Sequence, residues 1–423
     1  MVVYSDYMAV GFIAGTGLAL LAVDVLSKII YRRIFHPLRS YPGPWLDSVS
    51  PIPSSLMLLL GYQHSYNYGL HEKYGHIVRV SPDELSYTDP QAWDEIYGFR
   101  NGVVMEKSPL FIGVVSPLNG HVGIGLARGK EHTRQRRAMA PSMSRNALQA
   151  QEKIIQTHAL KLVEALRRTS QEGIANTASN HEDVVYHVLR NEDSKKSLAE
   201  TELILNMVLF LSAGSETTSI LLTAFIYLVS TNAGVYRRLT SEIRTAFSST
   251  QDITLDSVMA LDYLGASINE TLRLFPPGAV NQQRTVPPGG ANIAGKHVPA
   301  GTTVSTAPWA ISRSSAHFHK PDEFLPERWL PEKAAEFAND KLNASQPFGV
   351  GPKSCLGKNL SFFESRLIIA HLLFNFDVRL VDEGGLAKEN RKWNLDPKMR
   401  SIKLYQALAK PNLWVRWKEV DHN

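Results

Sequence analysis

Residues 8–23, MAVGFIAGTGLALLAV, hold no charge, and after Asp24 the apolar run resumes in VLSKII. A helix needs roughly 20 apolar residues to cross a bilayer core. Val25 and Leu26 extend the stretch toward that length, so it predicts a single-pass membrane helix, with a buried core helix as the alternative. A cleaved signal peptide needs a positive start, and this chain begins MVVYSDY. Lys28, Arg32, Arg33 and Arg39 follow the run, which places the rest of the chain on the cytoplasmic side. HPLRSYPGPW then packs Pro37, Pro42, Gly43 and Pro44 into a segment unsuited to helix or central strand, and reads as a stiff linker.

From Tyr74, YGHIVRVSPDELSYTD alternates apolar and polar residues around Ser-Pro-Asp, the pattern of a small hairpin. Residues 151–168 repeat Ile154, Ile155, His158, Leu162 and Leu166 at helical spacing. Residues 197–231 form the longest apolar run after the first. A second membrane span is the rival reading there, but Glu216, Thr217 and Thr218 at its centre are costly in lipid, so a long buried helix is expected. Helices are predicted again over 235–247 and over 262–275, the second stopped by Pro276 and Pro277. Between positions 287 and 306, Gly and Pro alternate with β-type runs such as HVPAGTTVSTA, which suggests small strands. A final helix should begin near Lys358. The pattern gives a mainly α fold with a small β-rich lobe, residues 1–35 serving as anchor and flank and 36–423 as one folded domain.

Composition changes this picture little. Hydrophobic residues at 44% and charged residues at 20% are ordinary globular values and exclude general disorder. The net charge of +5 comes from scattered Lys and Arg, so no nucleic-acid partner is implied; an anionic membrane surface or an acidic protein suits it equally. The single cysteine, Cys355, rules out an internal disulfide. A lone cysteine is by default a small buried hydrophobe, and only its neighbours argue otherwise.

Those neighbours are PFGVGPKSCLGKNLSFFESRLIIAHLLF, residues 347–374. Gly349, Gly351 and Pro352 make a tight loop before Cys355, and Gly357 lets a helix begin directly after it. A sulfur at a helix N-terminus feels the positive end of the dipole and free amide donors, which favour the thiolate. Such a thiolate can ligate iron and push electron density toward oxygen bound opposite. The loop resembles the haem-binding signature F-x-x-G-x-(R/K)-x-C-x-G of the cytochrome P450 family, with Phe348, Gly351, Lys353, Cys355 and Gly357 matching. The resemblance implies haem b, iron protoporphyrin IX, with Cys355 as the axial ligand. It also implies that Phe348 shields the sulfur and Lys353 approaches a haem propionate.

Three further segments extend the resemblance. Glu270 and Arg273 lie on one helix face, where they could simply form a surface ion pair worth little. Together with Arg328 in PERW they resemble the family's structural Glu-Arg-Arg triad. In Ala213-Gly214-Ser215-Glu216-Thr217-Thr218, an acid and hydroxyls beside Gly can open a helix and pass protons. This resembles the oxygen-activation motif, implying that Thr217 hydrogen-bonds oxygen and Glu216 relays protons. The run His132-Thr133-Arg134-Gln135-Arg136-Arg137 would ordinarily be a solvated basic face. The resemblance implies that His132 and Arg136 contact a haem propionate, with Arg284 of NQQRTV as another partner. His317 and His319 are expected at the surface, and no zinc spacing occurs.

One part of the pattern is missing. Arg136 and Gly214 are 78 positions apart (214 minus 136), roughly half the family's usual separation. The deficit falls near residues 170–181 and implies loss of a bundle helix and of the paired helices that lid the substrate pocket. The implied activity is monooxygenation of an apolar small molecule, most like fungal microsomal secondary-metabolism enzymes. NADPH-cytochrome P450 reductase would supply the electrons and dock on basic residues such as Lys353 and Lys358. The endoplasmic reticulum membrane would hold the anchor, with the catalytic domain cytosolic. Two alternatives are a haem-thiolate isomerase or dehydratase that needs no reductase, against which Glu216 and Thr217 argue, and a truncated, inactive or haem-free membrane protein, for which the missing segment argues.

Overall fold

The computed structural model describes residues 2–99, 104–109, 115–170, 175–176, 198–396, 398 and 401–422. The first apolar run is a helix, Val2–Ile30, continued by a wider π turn, Tyr31–Phe35. From residue 15 on its apolar residues face outward: Leu18 is 71% exposed and Leu21 60%. A helix this apolar and this exposed has no protein core to enter. The Pro-rich segment that follows lies against the hairpin, with Arg79 N–H donating to Pro42 O at 2.7 Å. A Cβ at Gly43 would stand 2.4 Å from Arg79 O, so glycine permits that approach. The segment is shorter than expected, because a brief helix, Trp45–Val49, already begins at its last residue.

The expected hairpin is present as Ile77–Ser81 paired antiparallel with Glu84–Tyr87 around Pro82 and Asp83. Glu84–Tyr87 is buried at every position, because it is an inner strand with Thr303–Thr306 parallel on its other side. Arg284–Thr285 and Glu106–Lys107 complete the five-stranded sheet. Ala291–Ile293 and Lys296–Val298 form a small separate hairpin.

Helices make up most of the rest. Glu152–Ser170, Glu200–Thr231, Ala233–Ala246, Asp262–Leu274 and Lys358–Asn375 coincide with the five predicted runs to within a few residues. The long helix, Glu200–Thr231, is apolar enough to cross a membrane by length and composition. Its C-terminal half is nevertheless a core element: Ile220, Leu221, Ala224, Phe225, Leu228 and Val229 are at most 1% exposed. They pack in one cluster with Leu264, Ile268 and Leu272 of Asp262–Leu274 and with Leu367, Ile369 and Leu373 of Lys358–Asn375. Truncating one such side chain to Ala costs about 2–5 kcal/mol, so this three-helix contact fixes how the long helix sits over the cysteine segment. Most of the interval that carries the length deficit, near 170–181, lies outside the described residues.

The acid-base triad is a buried junction and not a surface pair. Glu270, Arg273 and Arg328 are fully buried. Arg273 donates to both carboxylate oxygens of Glu270, at 2.8 and 2.7 Å, and Arg328 Nε donates to Oε1 at 3.0 Å. Trp329 Nε1 and the Leu325 N–H add two more donors at 2.8 and 3.1 Å. Arg273 also holds the carbonyls of Ser312, Pro321 and Glu323. The triad thereby ties the helix to the irregular chain that leads into the cysteine loop.

Two expectations are corrected. His317 is only 3% exposed, with Nε2 2.8 Å from Thr88 O, because its segment tucks under the sheet; His319 is exposed as expected. The long helix does not open at Gly214. It stays α-helical throughout, and the Thr217 hydroxyl donates to Ala213 O at 2.6 Å, the local i−4 bond that Thr makes in an intact helix.

Candidate functional site

Cys355 is held by its own loop. Its N–H donates to Phe348 O at 2.8 Å, and Ser354 N–H donates to Gly351 O at 3.1 Å. Gly351 has φ +74°, and a Cβ there would lie 2.1 Å from Tyr97 O. No other residue satisfies both demands, so glycine at 351 sets how closely the loop approaches Tyr97. Gly357 is the N-cap of Lys358–Asn375, and the Phe348 ring meets Phe362 of that helix at 5.2 Å. Cys355 is unpaired and open to solvent.

The thiol's acidity departs from the expectation. Desolvation by the walls around it raises its pKa, and this outweighs the Gly357 N–H and the charges of Arg136 and Lys358, which lower it. The helix N-terminus does not bring the thiol below its ordinary value, and a bound metal would displace the proton. Arg136 supports the loop directly, donating to Ser354 O at 2.7 Å and to its hydroxyl at 3.3 Å.

Beside the loop stands a concentration of positive charge. His132 is 5% exposed, and burial together with Lys107, Lys353 and Arg136 lowers its pKa to about 4, so it is neutral at pH 7. Arg284 is buried, stacks over the Tyr97 ring at 4.9 Å and donates to the carbonyls of Gln282 and Gln283. Lys353 is bonded to Glu106 at 2.5 Å and is 6% exposed at its side chain, which removes it from any docking surface. Burial alone would raise the Glu106 carboxyl; Lys353 and the Gly129 N–H hold it below the usual range. A cavity of about 560 Å³ opens here, lined by Glu106, His132 and Lys353 among others. A second cavity, about 380 Å³ beside His76, Asp89 and His317, shares no lining residue with it.

Lys107 joins this cluster, although nothing in the pattern around it suggested a site. Its strand is two residues long, too short for any periodicity, and the only signal was a basic residue next to Glu106 in EKSP. Its ammonium donates to Ile124 O at 3.2 Å and to Gly125 O.

On the long helix, Glu216 is exposed and lies 4.0 Å from Lys410, whose ammonium also bonds the Ser219 hydroxyl. Ile204, Val208 and Leu211 on the same helix are 47–50% exposed, an uncovered apolar stretch next to the Glu216 motif.

These residues fit a haem. An unpaired sulfur stands at a helix N-terminus with Arg136 on its loop, and among the described residues the charges of Lys107, Arg284 and Lys353 reach one acid, Glu106, a surplus that two propionate groups would offset. The chain belongs to the cytochrome P450 family: the family's sequence model matches residues 171–404, over half of the chain. It is a cytochrome P450 monooxygenase by its relatives. The cytochrome P450 monooxygenase aba2 of Botryotinia fuckeliana (strain B05.10) is 42% identical over 497 residues, 95% of this chain and 94% of that protein. The cytochrome P450 monooxygenase ABA2 of Pyricularia oryzae (strain 70-15) is 39% identical over 93% of each chain. The averantin hydroxylase of Dothistroma septosporum is 33% identical over 89% of this chain and 87% of its own length. An alignment of 497 positions exceeds the 423 residues of this chain, so at least 74 positions (497 minus 423) have no counterpart here. A shortened chain, as the spacing of Arg136 and Gly214 suggested, is consistent with that length difference.

Proposed function

We propose that this chain is a haem-thiolate monooxygenase of fungal secondary metabolism, anchored by its first helix in the endoplasmic reticulum membrane with residues 36–423 in the cytosol. The observation that carries the reading is the loop around Cys355, closed by its own backbone, braced by Arg136 on Ser354 and bounded by a glycine that nothing else can replace. Bound there, haem b supplies dioxygen activation, one oxygen atom going to an apolar substrate and the other to water.

The chain's own residues do the rest. Cys355 would hold the iron as a thiolate, its negative charge stabilised by the Gly357 N–H, Arg136 and Lys358. His132, Arg136, Arg284 and Lys353 orient the cofactor through its acid groups, while Phe348 covers the sulfur. Glu216 and Thr217 would deliver protons for the oxygen chemistry that haem supplies, the Thr217 hydroxyl giving up its bond to Ala213 O. Among the described residues, Ile204, Val208 and Leu211 of the same helix are left facing solvent. With haem bound, water entering there would favour uncoupled oxygen reduction. NADPH-cytochrome P450 reductase is the electron donor, and exposed Lys358 belongs to the surface it meets.

The test is NADPH oxidation by membranes carrying the full chain and the reductase. Oxidation that needs oxygen, reductase and Cys355 supports the reading. Turnover of a peroxide substrate without reductase would favour the isomerase or dehydratase. Membranes in which the chain holds no haem would favour a haem-free membrane protein.

A further inference from the structure

The cavity of about 380 Å³ beside His76, Asp89 and His317 stands apart from the cysteine loop, with no lining residue in common. Its volume falls in the range of small-molecule sites, roughly 300–1,000 Å³. His317 is part of the lining and only 3% exposed. Its Nε2 lies 2.8 Å from Thr88 O, and a carbonyl only accepts, so Nε2 carries the proton. Burial and the charge of Lys341 lower the pKa of the ring, which is therefore neutral at pH 7 and presents Nδ1 as a lone pair. That Nδ1 is buried and accepts no hydrogen bond among the described residues. A buried acceptor left in this way calls for a donor.

The rest of the lining is polar and carries both signs of charge. Asp89 accepts the Gln91 N–H through Oδ1 at 2.9 Å, and Lys341 is fixed by its backbone N–H on His317 O at 2.8 Å. Both line the one cavity, yet among the described residues neither side chain forms an ion pair. Gln91, Lys341, Asn343 and His76 are exposed, and the His76 ring stands 6.3 Å from that of His317. A simple anion would meet Asp89 here, and a simple cation would meet Lys341. A metal ion has too few ligands, since among the described residues no three His, Cys, Asp or Glu side chains are grouped to hold one. A molecule that carries both charges meets neither objection.

We propose that this cavity is a second ligand site, separate from the haem, that takes a small zwitterion: its carboxylate rests on Lys341 and the side-chain amides of Gln91 and Asn343, and its ammonium donates to Asp89 and to Nδ1 of His317. Bound there, the ligand links the turn after Glu84–Tyr87 to the chain between His317 and Lys341, which carries Arg328 of the buried triad. Occupancy is therefore read as added stability, and it does not depend on the iron.

The experiment uses the full chain in detergent, with 4-aminobutyrate as the probe and butyrate and butylamine as its single-charge counterparts. At a hundredfold excess over its Kd, 4-aminobutyrate should raise the Tm by about 5 °C, while the two counterparts leave it in place. It should also shield His76 from diethyl pyrocarbonate, read by mass spectrometry. Asp89→Asn keeps an acceptor for the Gln91 N–H, and Lys341→Met keeps the backbone bond to His317 O. Each should weaken 4-aminobutyrate binding roughly ten- to a hundredfold, and Asp89→Asn should let butyrate bind. The proposal is overturned if 4-aminobutyrate neither raises the Tm nor shields His76, if butyrate or butylamine matches it in the wild type, or if both variants bind it as the wild type does. Zinc that shields His76 where 4-aminobutyrate does not would make this a metal site and overturn the proposal as well. Should either variant fail to fold, the other variant and the His76 shielding are held to the same outcomes.

Discussion

Replacing Glu270 with Gln removes the charge that two buried guanidinium groups share. The carboxylate accepts five hydrogen bonds, two from Arg273 and one each from Arg328, Trp329 and the Leu325 N–H. A glutamine keeps one acceptor oxygen and turns an NH2 group toward donors that need acceptors. Breaking a buried ion pair from one side costs about 3–5 kcal/mol, against a typical net stability of about 5–15 kcal/mol for a whole domain. Glu270→Gln should therefore lower the urea midpoint markedly, and at about 2 °C per kcal/mol lower Tm by roughly 6–10 °C. Arg328→Met should cost a similar amount, since it strands the buried Asp340 that Arg328 also holds. The pH dependence gives a second reading. Burial alone would raise the Glu270 carboxyl, but Arg273, Arg328 and Trp329 hold it below its unfolded value. A depressed folded pKa stabilises fully above the unfolded carboxylate pKa, and that stability is lost as pH falls through the folded value. The wild type should lose this contribution in acid, and Glu270→Gln should show a shallower acid limb. Circular dichroism across urea and pH measures both. A loss under about 1 kcal/mol with an unchanged acid limb would refute the argument that the triad is a buried charged junction.

Other outcomes follow from the same structure. Gly351→Ala, forced into φ +74° against Tyr97 O, should displace the cysteine loop, and the purified protein should carry little haem by pyridine haemochrome assay. In the haem-free protein the raised Cys355 thiol should react with iodoacetamide more slowly at pH 7 than a free cysteine, and more slowly still in Arg136→Met, which removes a cation that favours the thiolate; haem should block the reaction. His132 is buried with its pKa lowered to about 4, so the unfolded chain binds more protons than the folded one between about pH 6.5 and 4, and stability falls with pH across that window. His132→Gln should flatten that fall in a urea titration. Removing residues 1–35 should move the protein from the carbonate-resistant membrane fraction to the soluble one on sedimentation.

What could be read from the chain in advance follows how local each signal is. The cysteine loop was legible because the demands on Gly351, Cys355 and Gly357 fall within a few residues of one another. The triad was legible because Glu270 and Arg273 share one helical turn and Arg328 sits in a short distinctive segment, although its burial depended on packing from the rest of the chain. Lys107 was not legible, since its meaning comes from pairing with Arg284 almost two hundred positions later. The burial of His317 likewise depends on the sheet above it. The acidity of Cys355 was misjudged because the dipole at a helix N-terminus is visible in sequence, whereas the desolvating wall around the sulfur is a tertiary property. Thr217 was expected at an opened helix, but among the described residues nothing draws its hydroxyl from Ala213 O.

The central claim is that Cys355 ligates haem iron as a thiolate, and the absorption spectrum of the purified 423-residue chain, reduced and exposed to carbon monoxide, tests it most directly. A Soret band at about 450 nm, the feature from which the family takes its name, is the expected result, and it should disappear in Cys355→Ala. A band at distinctly shorter wavelength, or the same spectrum with and without Cys355, would contradict it.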